Sequence, residues 1–151
     1  AYAAKVRKKA ATLAASGAFD DALSVFTRER SAGLLAFEEE KRDGIDGVDG
    51  LNGVEGVVVS PDGRSVYASG VFDDAVAAFT RDPVTGALVF AEIERDAVNG
   101  VNGLDGTSSV AVSPDGKHVY LLHGGGGDPC AAAVDGGNLA LPPWLPSPRV
   151  D

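Results

Sequence analysis

Cysteine is nearly missing: Cys130 stands alone in 151 residues. A lone cysteine excludes an internal disulfide and a zinc site built from cysteines. Long hydrophobic runs are also missing. None approaches the roughly 18 apolar residues of a membrane-spanning helix, so no transmembrane segment is expected. Basic residues are scarce, with 13 Lys and Arg against 22 Asp and Glu, for a net charge of −9. A nucleic-acid partner is not expected, because phosphate neutralisation needs a basic surface. The chain also lacks the composition of a disordered one, being 44% hydrophobic and 23% charged. What it has in quantity is turn chemistry, with 20 glycines and 8 prolines.

The sequence repeats. Residues 17–69 align without a gap over residues 70–122, a shift of 53, and 27 of the 53 positions are identical. GAFDDALSVFTRERSAGLLAF lies over GVFDDAVAAFTRDPVTGALVF, and GVDGLNGVEGVVVSPDGRSVY over GVNGLDGTSSVAVSPDGKHVY. The phase continues weakly outward, with TLAASG (12–17) over SVYASG (65–70). This divides the chain into a basic Ala-rich arm or degenerate strand (1–16), two repeats (17–69 and 70–122), a degenerate third (123–141) and a Pro-rich tail (142–151).

Each repeat reads as four short strands. Val57–Ser60 is an apolar run that ends in Ser60-Pro61-Asp62-Gly63, a good type I turn sequence. Arg64–Ser69 returns, Ala75–Thr80 makes a third strand, and Ala87–Ile93 a fourth after the turn at Asp82–Gly86. Runs of this length between turn signals describe an all-β antiparallel meander. Phe26/Phe79, Phe37/Phe90, Val57/Val110, Val59/Val112 and Tyr67/Tyr120 read as core between neighbouring sheets. A four-stranded sheet cannot cover both its faces alone. Stacking copies around an axis covers them, which is the β-propeller solution.

The segments SPDGRSVYASG, SPDGKHVY, DDAVAAFTRDPVTGALVF and NGVNGLDGTSSVAV resemble blades of the lactonase-like (6-phosphogluconolactonase-like) seven-bladed β-propeller family. The resemblance is good over 12–123 and poor over 124–141. It implies a partial β-propeller of four-stranded blades, and an activity that opens a sugar lactone with water. The chain offers about ten or eleven strands, fewer than three blades, while propellers commonly close with four to eight. Open strand edges favour association, so a protein partner or self-association is expected.

Among candidate sites, the run Asp43–Gly53 places acidic oxygens at every third residue. Asp43, Asp46 and Asp49, with Asn99, Asn102 and Asp105 in the second copy, are candidate calcium ligands, because calcium takes several oxygens. The plainer reading is a turn-rich connection in which Asp, Asn and Gly accept left-handed backbone angles. No other cofactor is expected; Gly124–Gly127 is not followed by the lysine and helix of a phosphate loop. His123, at a strand end, is the catalytic candidate, since a lactonase needs a general base. Its repeat partner is Gly70, which favours drift over function. Arg42/Arg95, Arg28/Arg81, Asp20/Asp73 and Asp21/Asp74 recur in both copies and read as architectural.

Residues 1–16 hold Lys5, Arg7, Lys8 and Lys9 and no acid. They read as a frayed strand, a basic arm for an acidic partner or membrane surface, or a trimmed targeting peptide. The expected function is a non-catalytic propeller-type module within a larger assembly. The alternatives are a lactonase-like hydrolase, or a fragment of one, and a calcium- or ligand-binding surface propeller. A periplasmic, extracellular or organellar home is favoured over the cytoplasm.

Overall fold

The computed structural model describes residues 20–123 throughout and, outside them, the backbone of short strand segments at 9–10, 15–16, 130–135 and 138–140. The rest of the basic arm, the glycine-rich loop at 124–129 and the Pro-rich tail lie outside the described residues, as does the side chain of Cys130.

Among the described residues there is no helix, and the twelve strands form three antiparallel sheets of four. The first sheet centres on β3 (Ala22–Arg28). It pairs with β4 (Leu35–Arg42) on one edge, and with two short pieces, β1 (Lys9–Ala10) and β2 (Ala15–Ser16), along the other. The second runs in order β5 (Val54–Val59), β6 (Ser65–Gly70), β7 (Ala75–Arg81), β8 (Leu88–Arg95). The third repeats that meander with β9 (Thr107–Val112), β10 (His118–His123), β11 (Cys130–Asp135) and β12 (Asn138–Ala140). This is the all-β, propeller-type arrangement expected. The bounds of β3 to β6 recur 53 residues on as those of β7 to β10. The second sheet therefore takes two strands from residues 17–69 and two from 70–122.

Ten or eleven strands were expected and twelve are found. The difference lies at the ends, where β1 and β2 are two residues each and β12 is three.

The second sheet is covered on both faces, and that explains why β6 and β7 are buried at nearly every position rather than at every other one. Toward the first sheet, Val66, Ala68, Ala77, Phe79 and Leu88 pack on Leu23 and Val25. Toward the third, Tyr67, Val76 and Ala78 pack on Val119 and Leu121. Each joint is filled further by the loop that crosses it, with Val48 and Leu51 in one and Val101 and Leu104 in the other. Burying a side chain of this size contributes about 1.5–3 kcal/mol, so the two joints dominate the stability of the stack.

Two expected core residues are exposed. Phe37 is 59% accessible and Tyr120 44%. Phe37 sits on β4, on the face of the first sheet turned from the second, stacked edge-on against Phe26 at 5.7 Å. Tyr120 alternates with the buried Val119 and Leu121 and so faces away from the second sheet. Their repeat partners Phe90 and Tyr67 have a sheet over them. Phe90 is part-buried, with Phe79 edge-on at 5.6 Å, and Tyr67 is buried. Of the other expected core residues, Phe79 is buried, while Phe26, Val57, Val59, Val110 and Val112 are half-buried.

The SPDG turns do more than reverse the chain. The Gly63 amide donates to the Ser60 carbonyl at 2.8 Å, with Gly63 at φ +74°. The Ser60 hydroxyl donates to Asp62 at 2.6 Å, the Arg64 amide donates to the same carboxylate, and the Ser65 amide donates to the Ser60 hydroxyl. Ser113, Asp115, Lys117 and His118 reproduce every one of these bonds. Each turn thus closes its hairpin through bonds among its own six residues, and in the first the Gly63 carbonyl also accepts the Arg81 guanidinium at 2.8 Å.

Candidate functional site

Strand register brings the long connections to one end of the stack. Val54 lies opposite Gly70, Ala75 opposite Arg95 and Thr107 opposite His123. The loops at 43–53 and 96–106 and the turn at 71–74 therefore share that end.

A charged cluster forms there from three elements. One oxygen each from Asp43, Asp49 and Asp73 lies within 4.8 Å of the other two. Arg95, the last residue of β8, reaches into the cluster. Its guanidinium donates to Asp49 at 2.5 Å and to the Asp73 carboxylate at 3.3 Å. Asp43 also accepts the Leu51 amide at 2.9 Å, and Asp73 the Asn52 amide at 3.0 Å. The Asp73 side chain is 13% exposed, so its charge is partly desolvated and needs these partners.

Of the six calcium candidates, the structure brings together Asp43 and Asp49, and adds Asp73, which the sequence reading took for a turn residue. Asp46 and Asn99 are exposed and hold left-handed backbone at φ +53° and +52°; Asn102 and Asp105 are also exposed. The positive charge that three carboxylates attract is supplied here by Arg95. Calcium wants six to eight oxygens, and several of those present already accept peptide N–H groups or the guanidinium. The donor set fits a structural ion pair better than a cation site.

Neighbouring residues tie one sheet to the next. Asp21, just before β3, accepts the amide of Gly53 at 2.8 Å, and Asp74, just before β7, accepts that of Gly106 at 2.8 Å. Both aspartates carry positive φ, +47° and +50°, a cost that the bond to the next strand's entry offsets. Gly70 meets the Gly50 carbonyl so closely that a Cβ there would collide with backbone.

The inner edges of the sheets carry different chemistry. β5 lies against β2 and β9, one strand from each sheet. A Cβ on Gly56 would come within 3.2 Å of the Ser108 carbonyl and the Ser109 Cα, so the two backbones nearly touch. At the loop end of these strands stand Glu55, exposed on β5, and Ser108, whose hydroxyl donates to the Leu122 carbonyl at 3.4 Å. His123 is there too, part-buried, beyond a bulge that follows Leu122. Thr107, opposite His123, is fully buried, and its hydroxyl has no hydrogen-bond partner. Glu55 was missed in the sequence. Its signal is an acid interrupting the apolar run GVEGVVV where the second copy has Ser108. A carboxylate and an imidazole are the groups with which a site moves protons near neutral pH.

No protein-family model and no curated protein sequence matches the chain. Solved structures do. A Lactobacillus plantarum protein matches at TM-score 0.65 and 24% identity, over 80% of this chain and 34% of its own. A Bacteroides uniformis protein named as a "putative 6-phosphogluconolactonase" matches at TM-score 0.63 and 23% identity, over 91% of this chain and 39% of its own. The periplasmic gluconolactonase of Pseudomonas aeruginosa matches at TM-score 0.65 and 23% identity, over 80% and 32%. These likenesses show the fold. The chain spans about a third of the length of the structures it matches.

Proposed function

We propose that the chain is part of a lactonase-type propeller that hydrolyses a sugar lactone at the loop end of its inner strands. The observation that carries this reading is the fold match to two proteins named as lactonases, over 80% and 91% of the chain. It ranks the hydrolase above the non-catalytic module that the sequence had favoured. The placement of Glu55 on the inner strand β5 and of His123 at the end of β10, opposite Thr107 of the inner strand β9, supports it further, because it brings a carboxylate and an imidazole to the same loop end.

The chemistry is acyl transfer to water. A base removes a proton from water, the oxygen bonds to the lactone carbonyl carbon, and the ring C–O bond breaks. The departing ring oxygen then takes a proton, leaving an open hydroxy acid. His123, an imidazole at the strand end, takes the role of the base in this reading. Arg95 stays with its two aspartates as a structural pair.

The test is hydrolysis of glucono-δ-lactone followed by base uptake at constant pH. Turnover above the buffer rate is expected, and His123→Ala is expected to lower it by about 10²–10⁴-fold, the usual contribution of a positioned base. A wild-type rate equal to that of buffer removes the proposal.

A further inference from the structure

Most carboxylates at the loop end are committed to the fold. Asp21, Asp43, Asp73, Asp74 and Asp96 each accept a backbone amide there, and Asp49 holds the Arg95 guanidinium. Glu55 is not committed. It is exposed on the inner strand β5 and makes no hydrogen bond or ion pair with another described residue. Its backbone is set apart as well. Val54 pairs with Gly70 and Gly56 with Ser69, so Glu55 is the extra residue of a β-bulge. Ser108 is the extra residue of the same bulge in the next sheet, where Thr107 pairs with His123 and Ser109 with Leu122. The Gly56 backbone lies against Ser108 and Ser109, so the two bulges are adjacent. Bulges re-aim a side chain and gather beside binding sites.

An aromatic ring stands next to Glu55. Phe72, in the turn at 71–74, is 64% exposed. Backbone bonds hold it there: its amide donates to the Asn52 carbonyl at 3.1 Å, and that of Val71 to the Gly53 carbonyl at 3.2 Å. The ring lies so close to Gly53 that a Cβ there would meet it at 2.6 Å. Gly53 precedes Glu55 by two residues, so ring and carboxylate flank one short stretch of backbone. A sugar ring matches such a pair. Its C–H groups cover an aromatic face, while its hydroxyls donate to a carboxylate. The lysine and arginines described at this end, Lys41, Arg42 and Arg95, are each paired with a carboxylate.

We propose that Phe72 and Glu55 form the subsite that holds the sugar ring, and that it selects an uncharged lactone over a phosphorylated one. The lactone lays a C–H face on Phe72 and donates its hydroxyls to Glu55. A phosphate would bring negative charge beside an unpaired carboxylate, where the basic side chains are already taken. The lactone itself comes from the lactonase reading, on which this assignment rests; the ring-holding geometry is its own. Opening the ring creates a carboxylate, which Glu55 repels, so the same group that holds the substrate favours release of the product.

Saturation-transfer NMR on the full chain tests this, using 1,5-anhydroglucitol, an uncharged ring that water cannot open, and its 6-phosphate. Transfer to the C–H protons of the uncharged ring is expected. The phosphate is expected to bind about fivefold more weakly, the effect of like charges a few ångströms apart in water. Glu55→Gln is expected to weaken binding of the uncharged ring by about tenfold, as for a hydrogen bond to a charged group. Phe72→Ala is expected to abolish the transfer, and Phe72→Tyr, which keeps the flat face, to retain it. Wild-type protein that gives no transfer to the uncharged ring overturns the proposal. So does equal binding of the phosphate, or binding that Phe72→Ala and Glu55→Gln leave unchanged. Kinetics on glucono-δ-lactone separate this result from the lactonase reading. With the subsite correct, both variants raise KM more than they lower kcat. Absent turnover with the expected transfer removes the lactonase reading and leaves a sugar subsite. Turnover whose KM neither variant raises removes the subsite and leaves the lactonase reading.

Discussion

At the residue scale, Arg95 is the side chain on which the loop end depends most. It is the cation among three carboxylates drawn from a loop and a turn, and removing it leaves like charges facing each other. Arg95→Gln is expected to lower stability by about 1–2 kcal/mol, the range for hydrogen bonds to charged groups less the screening of a partly exposed site. Calcium in the millimolar range is expected to leave the wild-type melting temperature unchanged and to raise that of Arg95→Gln. A wild-type shift equal to the variant's would instead make the triplet a native cation site. The sequence showed Asp43 and Asp49 as a pair of oxygens, because they lie six residues apart in one loop. It did not show Asp73 or Arg95 beside them. Those two come from 24 and 46 residues beyond Asp49, and only the strand register between Ala75 and Arg95 brings them to the same place.

At the element scale, the SPDG turn is a local device with a pH signature. The Ser60 hydroxyl, and after it the Arg64 amide, hold the Asp62 carboxyl below its usual range; Ser113 and Lys117 do the same for Asp115. A carboxyl with a lowered folded-state pKa stabilises the fold above its ordinary pKa and loses that contribution as pH falls through the folded value. Asp62→Asn with Asp115→Asn is therefore expected to narrow the gap in melting temperature between pH 7 and pH 3. The effect is small, because both groups are exposed to solvent. An unchanged gap means that the turns carry no charge-dependent stability. These turns and the strands they join were legible in the sequence, since a serine, a proline, an aspartate and a glycine in order fix the hairpin from within. Burial was not legible in the same way. Phe37 and Phe90 hold equivalent places in the repeat, each two residues after a leucine and two before a glutamate, and differ in exposure, because burial depends on whether another sheet lies over the face.

At the scale of the whole molecule, stability is concentrated in the middle. β6 and β7 are covered on both faces by two separate clusters, while β4 is exposed along most of its length. Amide hydrogen exchange is expected to be slowest in β6 and β7 and fast in β4, because opening the central sheet requires losing both joints. Equal protection of β4 and β7 in the isolated chain contradicts a stack with open ends. This asymmetry was legible in the sequence only indirectly. It showed that one face of each meander needs a cover, and left open which faces have one.

The offset between the strand-forming sheets and the 53-residue sequence unit has a consequence for how such a molecule changes length. The unit boundary between residues 69 and 70 falls inside the second sheet, at the last residue of β6 and ahead of the turn to β7. Unequal recombination at that boundary would insert or delete half of one sheet and half of the next. The severed halves rejoin as a complete meander with the existing hairpin edges, so a lineage can gain or lose a layer in one genetic event without inventing a surface to receive it.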